Sequence, residues 1–218
     1  MSADTYFQRS EVSNSDLTTL KNELYPQPQY GDKEAAFKFG SLFDALITEP
    51  HRVDVLNFRV DDVQYLEDDF RLAIEMRKSL LAEARKDKFL ENVLKLADMQ
   101  KTSIRHNQPF ETDFGFKYTL NTRCKWDWFI NSMNFGGDLK TTAASSQKEF
   151  SEAMDFFDWD RSRAWYMDIV GSNRDFIYAV SKKNCKVFKA CIDRGDKTYQ
   201  RGKEKYDELA FKYWQLII

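Results

Sequence analysis

Glycine and proline are scarce, 8 and 4 residues of 218, which excludes a collagenous, linker-like or low-complexity chain. Cysteine is scarcer still. Cys124, Cys185 and Cys191 make no even set and no CxxC pair. The expectation is therefore a reduced, cytoplasmic setting in which all three thiols are packing residues. Histidine occurs twice, at His51 and His106, without HExxH or a Cys/His cluster, so a zinc site is not expected. GxGxxG and P-loop patterns are absent. No apolar run approaches the ~20 residues of a membrane span. The opening MSADTYFQRSEVSNSD lacks the basic-then-apolar layout of a secretory signal.

Aromatic residues are plentiful: 18 Phe, 10 Tyr and 5 Trp. Such side chains bury large apolar areas and argue against disorder. The net charge of −2 hides an uneven distribution. Residues 1–100 carry 13 Lys/Arg against 19 Asp/Glu, a balance of −6, and residues 101–218 carry 20 against 16, a balance of +4. The basic tail (Lys182, Lys183, Lys186, Lys189, Arg194, Lys197, Arg201, Lys203 and Lys205) fits either a phosphate track or a solvated surface.

The sequence pattern divides near residue 100. Ser13–Asp16 supplies N-cap candidates for a short helix to about Leu24, broken by Tyr25–Pro28. Ala36, Phe39, Leu42, Phe43 and Leu46 recur at helical spacing over Lys33–Thr48; Gly40, inside that helix, is expected to permit close packing. His51–Tyr65 has mixed periods and reads mostly as loop. Glu67–Met99 reads as one or two helices, with Glu83–Lys88 exposed. Beyond it, Thr102–Arg105, Phe116–Leu120 and Arg123–Asn131 look like strands. Gly136-Gly137 reads as a turn before a short strand at Asp138–Thr141. A helix from Ser145 or Ser146 carries Phe150, Met154 and Phe157, and another spans Asp160–Val170. Strands at Phe176–Ser181 and Lys186–Ile192 and a helix over Lys203–Ile217 complete an α/β domain, 1–218, with a mainly helical N-terminal part (1–100).

Asp138-Leu139-Lys140 is the sole acid-x-Lys triplet in the chain. Eleven residues earlier stands Asp127, between Trp126 and Trp128. A charge among indoles at a sheet core is costly unless it is paired or binds a cation. Period-two geometry puts Asp138 and Lys140 on one strand face. If a hairpin sets the two strands side by side, two carboxylates and an ammonium converge. That set suits metal-assisted phosphodiester hydrolysis, with carboxylates for Mg²⁺ (or Mn²⁺) and Lys140 orienting or deprotonating a water or neutralising the transition state. A buried Asp–Lys salt bridge accounts for the spacing equally well.

Trp126-Asp127 followed by Asp138-Leu139-Lys140-Thr141 resembles the PD-(D/E)xK nuclease signature, with Trp in the place of Pro. Four further blocks resemble one branch, the RecE-type (exonuclease VIII-like) phage recombination exonucleases. Ser13–Leu17 is similar to a Ser-x-Ser-x-Leu opening, and Phe39–Pro50 to a Gly-Thr-x-x-His-Ala-Leu-x-Leu-Glu-Pro helix. Arg123–Trp128 is similar to an Arg-x-Asp strand, and Asp160–Asp168 to a Gln-x-Ala-Phe-Tyr helix.

The resemblance implies a restriction-endonuclease-like core with a central mixed sheet flanked by helices. It implies a Mg²⁺-dependent exonuclease on double-stranded DNA ends, digesting 5′-to-3′ and leaving 3′ single strands for a RecT-like annealing partner. A ring-shaped homo-oligomer is implied too. Asp127, Asp138 and the Leu139 carbonyl would hold metal, with Asp44 where the family has His. Ser162 stands in the place of the family Gln, or Arg163 if the register slips by one, and Tyr166 aligns with the family Tyr; all three are candidate substrate or phosphate contacts. Alternatives are a PD-(D/E)xK endonuclease, a single-strand nuclease, or a catalytically decayed DNA- or protein-binding relative.

Overall fold

The computed structural model describes residues 5–26, 28 and 31–217. Seven helices and eight strands follow one another: α1 (Asn14–Leu24), α2 (Lys33–Thr48), β1 (Val53–Asp54), β2 (Arg59–Val60), β3 (Val63–Gln64), α3 (Glu67–Ala84), α4 (Lys88–Leu96), β4 (Asp98–Glu111), β5 (Lys117–Ile130), β6 (Phe135–Thr142), α5 (Gln147–Phe156), α6 (Trp159–Val170), β7 (Arg174–Ser181), β8 (Val187–Asp193) and α7 (Lys197–Ile217), all among the described residues.

The main sheet has the order β4-β5-β6-β7-β8. Only β6 and β7 run parallel, and α5 and α6 make the crossover that a parallel pair requires. Apolar residues of α1, α5, α6 and α7 form a core on one face of this sheet, and those of α2, α3 and α4 form a second core on the other. The expected mixed sheet flanked by helices is therefore present. Of the N-terminal helices, α2, α3 and α4 pack on one face and α1 on the other.

Side-chain caps explain several boundaries. Ser13 and Asp16 form a capping box at α1, and Asp32, Asp87 and Ser146 cap α2, α4 and α5. Val12 bridges Thr122 of β5, and Arg161 of α6 donates to Asn14 and Thr18, so the Ser13–Leu17 block seats α1 against the sheet.

Elsewhere the structure corrects the expectations. His51–Tyr65 holds a small antiparallel sheet, β1-β2-β3, whose two-residue strands are too short to show a period. Glu67–Met99 is two helices because Asp87 restarts the chain as an N-cap, and Asp98-Met99 already belong to β4. The three expected strands between 102 and 131 are parts of two 14-residue strands. Helix α7 begins at Lys197, earlier than expected, because Asp196 accepts from the Tyr199 amide. Phe157 lies beyond α5 and is exposed. Of the expected break at Tyr25–Pro28, Gln27 lies outside the described residues.

Gly40 does not mark a close contact, since a Cβ there would meet nothing within 4 Å. Cys124 is buried, but Cys185 is half-buried and Cys191 exposed, so the thiols are not all packing residues.

The Gly136-Gly137 turn is also overturned. Both glycines lie inside β6, and the turn is made by Asn131–Met133 with Asn134 in the left-handed region at φ 50°. A Cβ on Gly136 would stand 2.5 Å from the Trp126 ring, and one on Gly137 2.1 Å from the Trp128 ring. The glycines are the floor on which two indoles lie.

Candidate active site

Those indoles lie in different cores, Trp126 on the α6 face and Trp128 on the α2–α4 face. In a regular strand residues two apart share a face. The β4–β5 register is the same on either side of Gln100, which stands at φ 55° opposite Asp127, and the facing of β5 reverses between Trp126 and Trp128.

The β5–β6 ladder pairs Ile130 with Phe135, Phe129 with Gly136 and Trp128 with Gly137. One step further the same register sets Asp127 opposite Asp138. There the backbone ladder stops and a side chain takes over: the Leu139 amide donates to Asp127 Oδ2 at 2.6 Å. The sequence-predicted pair is thus brought together by an antiparallel register, through a turn earlier than the expected one.

Lys140, two residues along β6, places Nζ 2.5 Å from Asp138 Oδ2. Asp138 is buried, and that oxygen receives no well-directed hydrogen bond. Burial alone would raise the Asp138 carboxyl, but Arg163 and Lys140 outweigh it and hold the group below the usual carboxylate range. Burial, with Asp138 and Asp44 beside it, pushes Asp127 well above that range. Burial also works against the charged form of Lys140, yet Asp138 and Asp127 together raise its ammonium above the ordinary lysine value.

Asp44 projects from α2 at the margin of this cluster. Gln100 Nε2 donates to its Oδ2 at 2.9 Å and Thr48 Oγ1 to its Oδ1 at 3.2 Å. Burial raises its carboxyl to about 6 despite these donors. Among the described residues no three acidic, His or Cys side chains draw together into a closed metal cage. Two facing carboxylates and a neighbouring carbonyl are nevertheless a hard-oxygen donor set of the kind Mg²⁺ uses while keeping several waters. Carboxylates crowded at one point, with Arg163 and Lys140 as the neighbouring cations, fit a further cation there.

The α6 candidates divide. Ser162 Oγ donates to Trp159 O in its own helix and accepts from Arg163 Nε, so it is turned away from the carboxylates. Arg163 instead reaches them, with Nη2 3.4 Å from Asp138 Oδ1 and Nη1 3.8 Å from Asp175 Oδ2. At 1% exposure its side chain lies buried against these two carboxylates. Tyr166 stacks on its guanidinium, 4.0 Å from the ring centroid, and meets Trp126 edge-on.

Two members of the site were missed in the sequence. Asp175 opens β7 with both carboxyl oxygens buried and unbonded, and burial pushes it up to about 8 despite Arg163. Its signal was an acid heading the apolar run Phe176–Val180, the same anomaly that marked Asp127. Gln100 carried no comparable signal.

Residues 7–217 match a family described as a PDDEXK-like domain of unknown function, DUF3799. The chain belongs to this family. Among solved structures, the DUF3799 chain is similar to a "putative exonuclease" from Eubacterium rectale, with 16% identity, a TM-score of 0.60, and 99% of this chain and 85% of that one covered. At that identity the likeness shows a shared fold. A phage-related exonuclease from Haemophilus somnus 129PT aligns over 100% of this chain and 89% of its own, with 11% identity and a TM-score of 0.43, too distant to carry an argument. No protein of curated function has detectable similarity to the chain. Among the described residues no helix is long and apolar enough to cross a membrane.

The buried acids give the metal-free DUF3799 chain a defined pH dependence. Asp44 is raised to about 6 and Asp175 to about 8, and Asp127 is raised as well. Each keeps its proton in the folded state to a higher pH than when unfolded, so its stabilising effect is complete below about pH 4 and is lost as pH rises through the folded value. With EDTA present the melting temperature is expected to fall by roughly 5 °C or more between pH 5 and pH 8, since about 1 kcal/mol corresponds to 2–4 °C in a chain this long. Added Mn²⁺ should recover more of this at pH 8 than at pH 5. A melting temperature that rises over this interval in EDTA contradicts the assignment.

Proposed function

We propose that the chain is a divalent-metal-dependent deoxyribonuclease acting, as a single nuclease domain, on double-stranded DNA ends. The observation that carries this reading is the end of the β5–β6 ladder, where Asp127 stands opposite Asp138 with the Lys140 ammonium against Asp138, inside a PDDEXK-like fold. Asp127, Asp138 and the Leu139 carbonyl would hold Mg²⁺ or Mn²⁺, with Asp44 at the margin. When bound, the ion supplies a water of lowered pKa and charge stabilisation at the phosphate.

The chain's own residues do the rest. Lys140, held protonated by Asp138 and Asp127, acts as a cation that orients the attacking water and neutralises charge growing on the phosphate oxygens. Arg163 holds the Asp138 carboxylate through Oδ1, while the Lys140 ammonium lies against Oδ2. Gln100 and Thr48 fix Asp44 in the same way.

The RecE-type resemblance extends the reading to 5′-to-3′ digestion leaving 3′ single strands, to a RecT-like annealing partner, and to a homo-oligomeric ring. A time course on linear duplex labelled at the 5′ or the 3′ end, with Mg²⁺, tests it: early release of the 5′ label is expected, with covalently closed duplex left intact. Cutting of the closed form indicates an endonuclease. No cleavage together with no Mn²⁺ binding by calorimetry indicates a decayed relative.

A further inference from the structure

The basic tail does not behave as one surface. Lys189 pairs with Asp87 at 2.9 Å, Arg194 with Asp168 at 2.5 Å, and Arg201 with Asp155 at 3.1 Å. Lys203 pairs with Asp207 at 2.8 Å, and Lys205 with both Asp155 and Asp158. These cations are neutralised by the protein's own acids; Lys203–Asp207 lies within α7, and the other pairs join α7, β8 and the residue after β8 to the rest of the fold. Among the described residues, Lys182, Lys183, Lys186 and Lys197 have no carboxylate within 4 Å. Three of the four fall within five positions, on the turn between β7 and β8.

That turn stands at the end of the sheet where the candidate site opens. The Lys182 amide donates to Thr142 O at 2.8 Å, and Thr142 follows Lys140 by two residues on β6, about 7 Å along the strand. Asn184 Nδ2 donates to Ser145 O at 3.3 Å, tying the turn to the segment after β6. The Lys182 ammonium lies 4.9 Å from the centroid of Phe39, on α2 one turn and a residue before Asp44. The lysine turn thus touches α2 and β6, two of the three elements that carry Asp44, Asp127 and Asp138. Lys183 and Lys186 are exposed and Lys182 is half-buried. On α2 itself, Gly40 is one turn before Asp44 on the same face, and a side chain there would meet no protein atom within 4 Å. The approach beside the lysines is therefore open.

From this we infer that Lys182, Lys183 and Lys186 form a phosphate-binding turn that holds the nucleic-acid backbone next to the carboxylates. This inference rests on the nuclease reading and narrows it to the part of the surface that meets the polyanion. Three ammonium groups with no carboxylate partner, beside three acidic side chains, supply the attraction for phosphate that the acidic site lacks. Phosphate contact of this kind releases counterions, and each neutralised phosphate of duplex DNA contributes about 0.9 to the log–log salt slope.

The test is equilibrium binding of the full chain to a labelled duplex, with Ca²⁺ in place of Mg²⁺ to hold off cleavage, over a range of NaCl concentrations. The triple variant Lys182→Gln/Lys183→Gln/Lys186→Gln is expected to lower the slope by about 2 to 3. Its melting temperature and Mn²⁺ binding should match wild type, and Lys197→Gln should leave the slope unchanged. A triple variant with the wild-type slope overturns the lysine assignment and leaves the nuclease reading standing. A wild-type chain that binds no DNA overturns both.

Discussion

Lys140→Ala is expected to slow Mg²⁺-supported cleavage of linear duplex about 10³-fold while leaving Mn²⁺ binding close to wild type; Asp138→Asn is expected to lose both. The two residues are in contact, Nζ to Oδ2 at 2.5 Å, yet they stand for different parts of the chemistry. Lys140 offers an ammonium aimed at the place where phosphate charge grows, and loss of one such preorganised donor costs about 10²–10³ in rate. Loss of the water-orienting contact adds to this. Asp138 is a proposed ligand, so removing its charge removes the ion. Asparagine is chosen over alanine because it keeps the shape beneath Arg163 and limits the damage to folding. Single-turnover cleavage and calorimetry with Mn²⁺ are the two measurements. Wild-type rates in Lys140→Ala would sink the catalytic assignment, and intact Mn²⁺ affinity in Asp138→Asn would move the metal elsewhere.

The residues that meet at this point were legible in the sequence because each broke a local rule. Asp127 sits between two tryptophans, and Asp138 stands two residues from Lys140 in an otherwise apolar and glycine-rich strand. Helices were legible wherever a cap and an apolar stripe agreed, as over Lys33–Thr48. What was not legible depended on contacts distant in sequence. Gly136-Gly137 has the composition of a turn, and only the indoles of Trp126 and Trp128 pressing on them explain why glycine is needed inside β6. The reversal of facing between Trp126 and Trp128 shows only in which core each indole enters, and a strand's period-two pattern does not announce it. The basic tail reads as one charged surface until the positions of Asp155, Asp158, Asp160, Asp168 and Asp207 show which cations are already paired. Arg163 was ambiguous for the same reason, since a helix pattern gives its face and not its partner.

Arg163→Met is expected to destabilise the protein by about 3–5 kcal/mol, the cost of leaving a buried charge without its partner. This is a large part of the 5–15 kcal/mol by which domains are stable. The guanidinium at 1% exposure lies between Asp138 and Asp175 and is covered by Tyr166. Methionine fills much of the volume but leaves Asp138, which is held ionised by Arg163 and Lys140, with Lys140 alone. Asp175 is a different case. Burial pushes it up to about 8, so near pH 7 it is chiefly the neutral acid, and Arg163–Asp138 is the working ion pair of the three. Asp175→Asn, which resembles that neutral acid in shape, should stay within about 1 kcal/mol of wild type at pH 7. It should also flatten the loss of stability between pH 5 and pH 8, because the group that ionises at the top of that interval is gone. Ser162→Ala, one residue away on α6, should change stability little, since its hydroxyl serves its own helix. Urea unfolding of the three variants at pH 7 and pH 5 separates these expectations. An Arg163→Met protein as stable as wild type would show that neither acid depends on Arg163 for its charge. An Asp175→Asn protein that loses several kcal/mol at pH 7 would show that the charge rests on Asp175 and not on Asp138. The proposed ligand would then be neutral, and its role in holding a cation would fall with it.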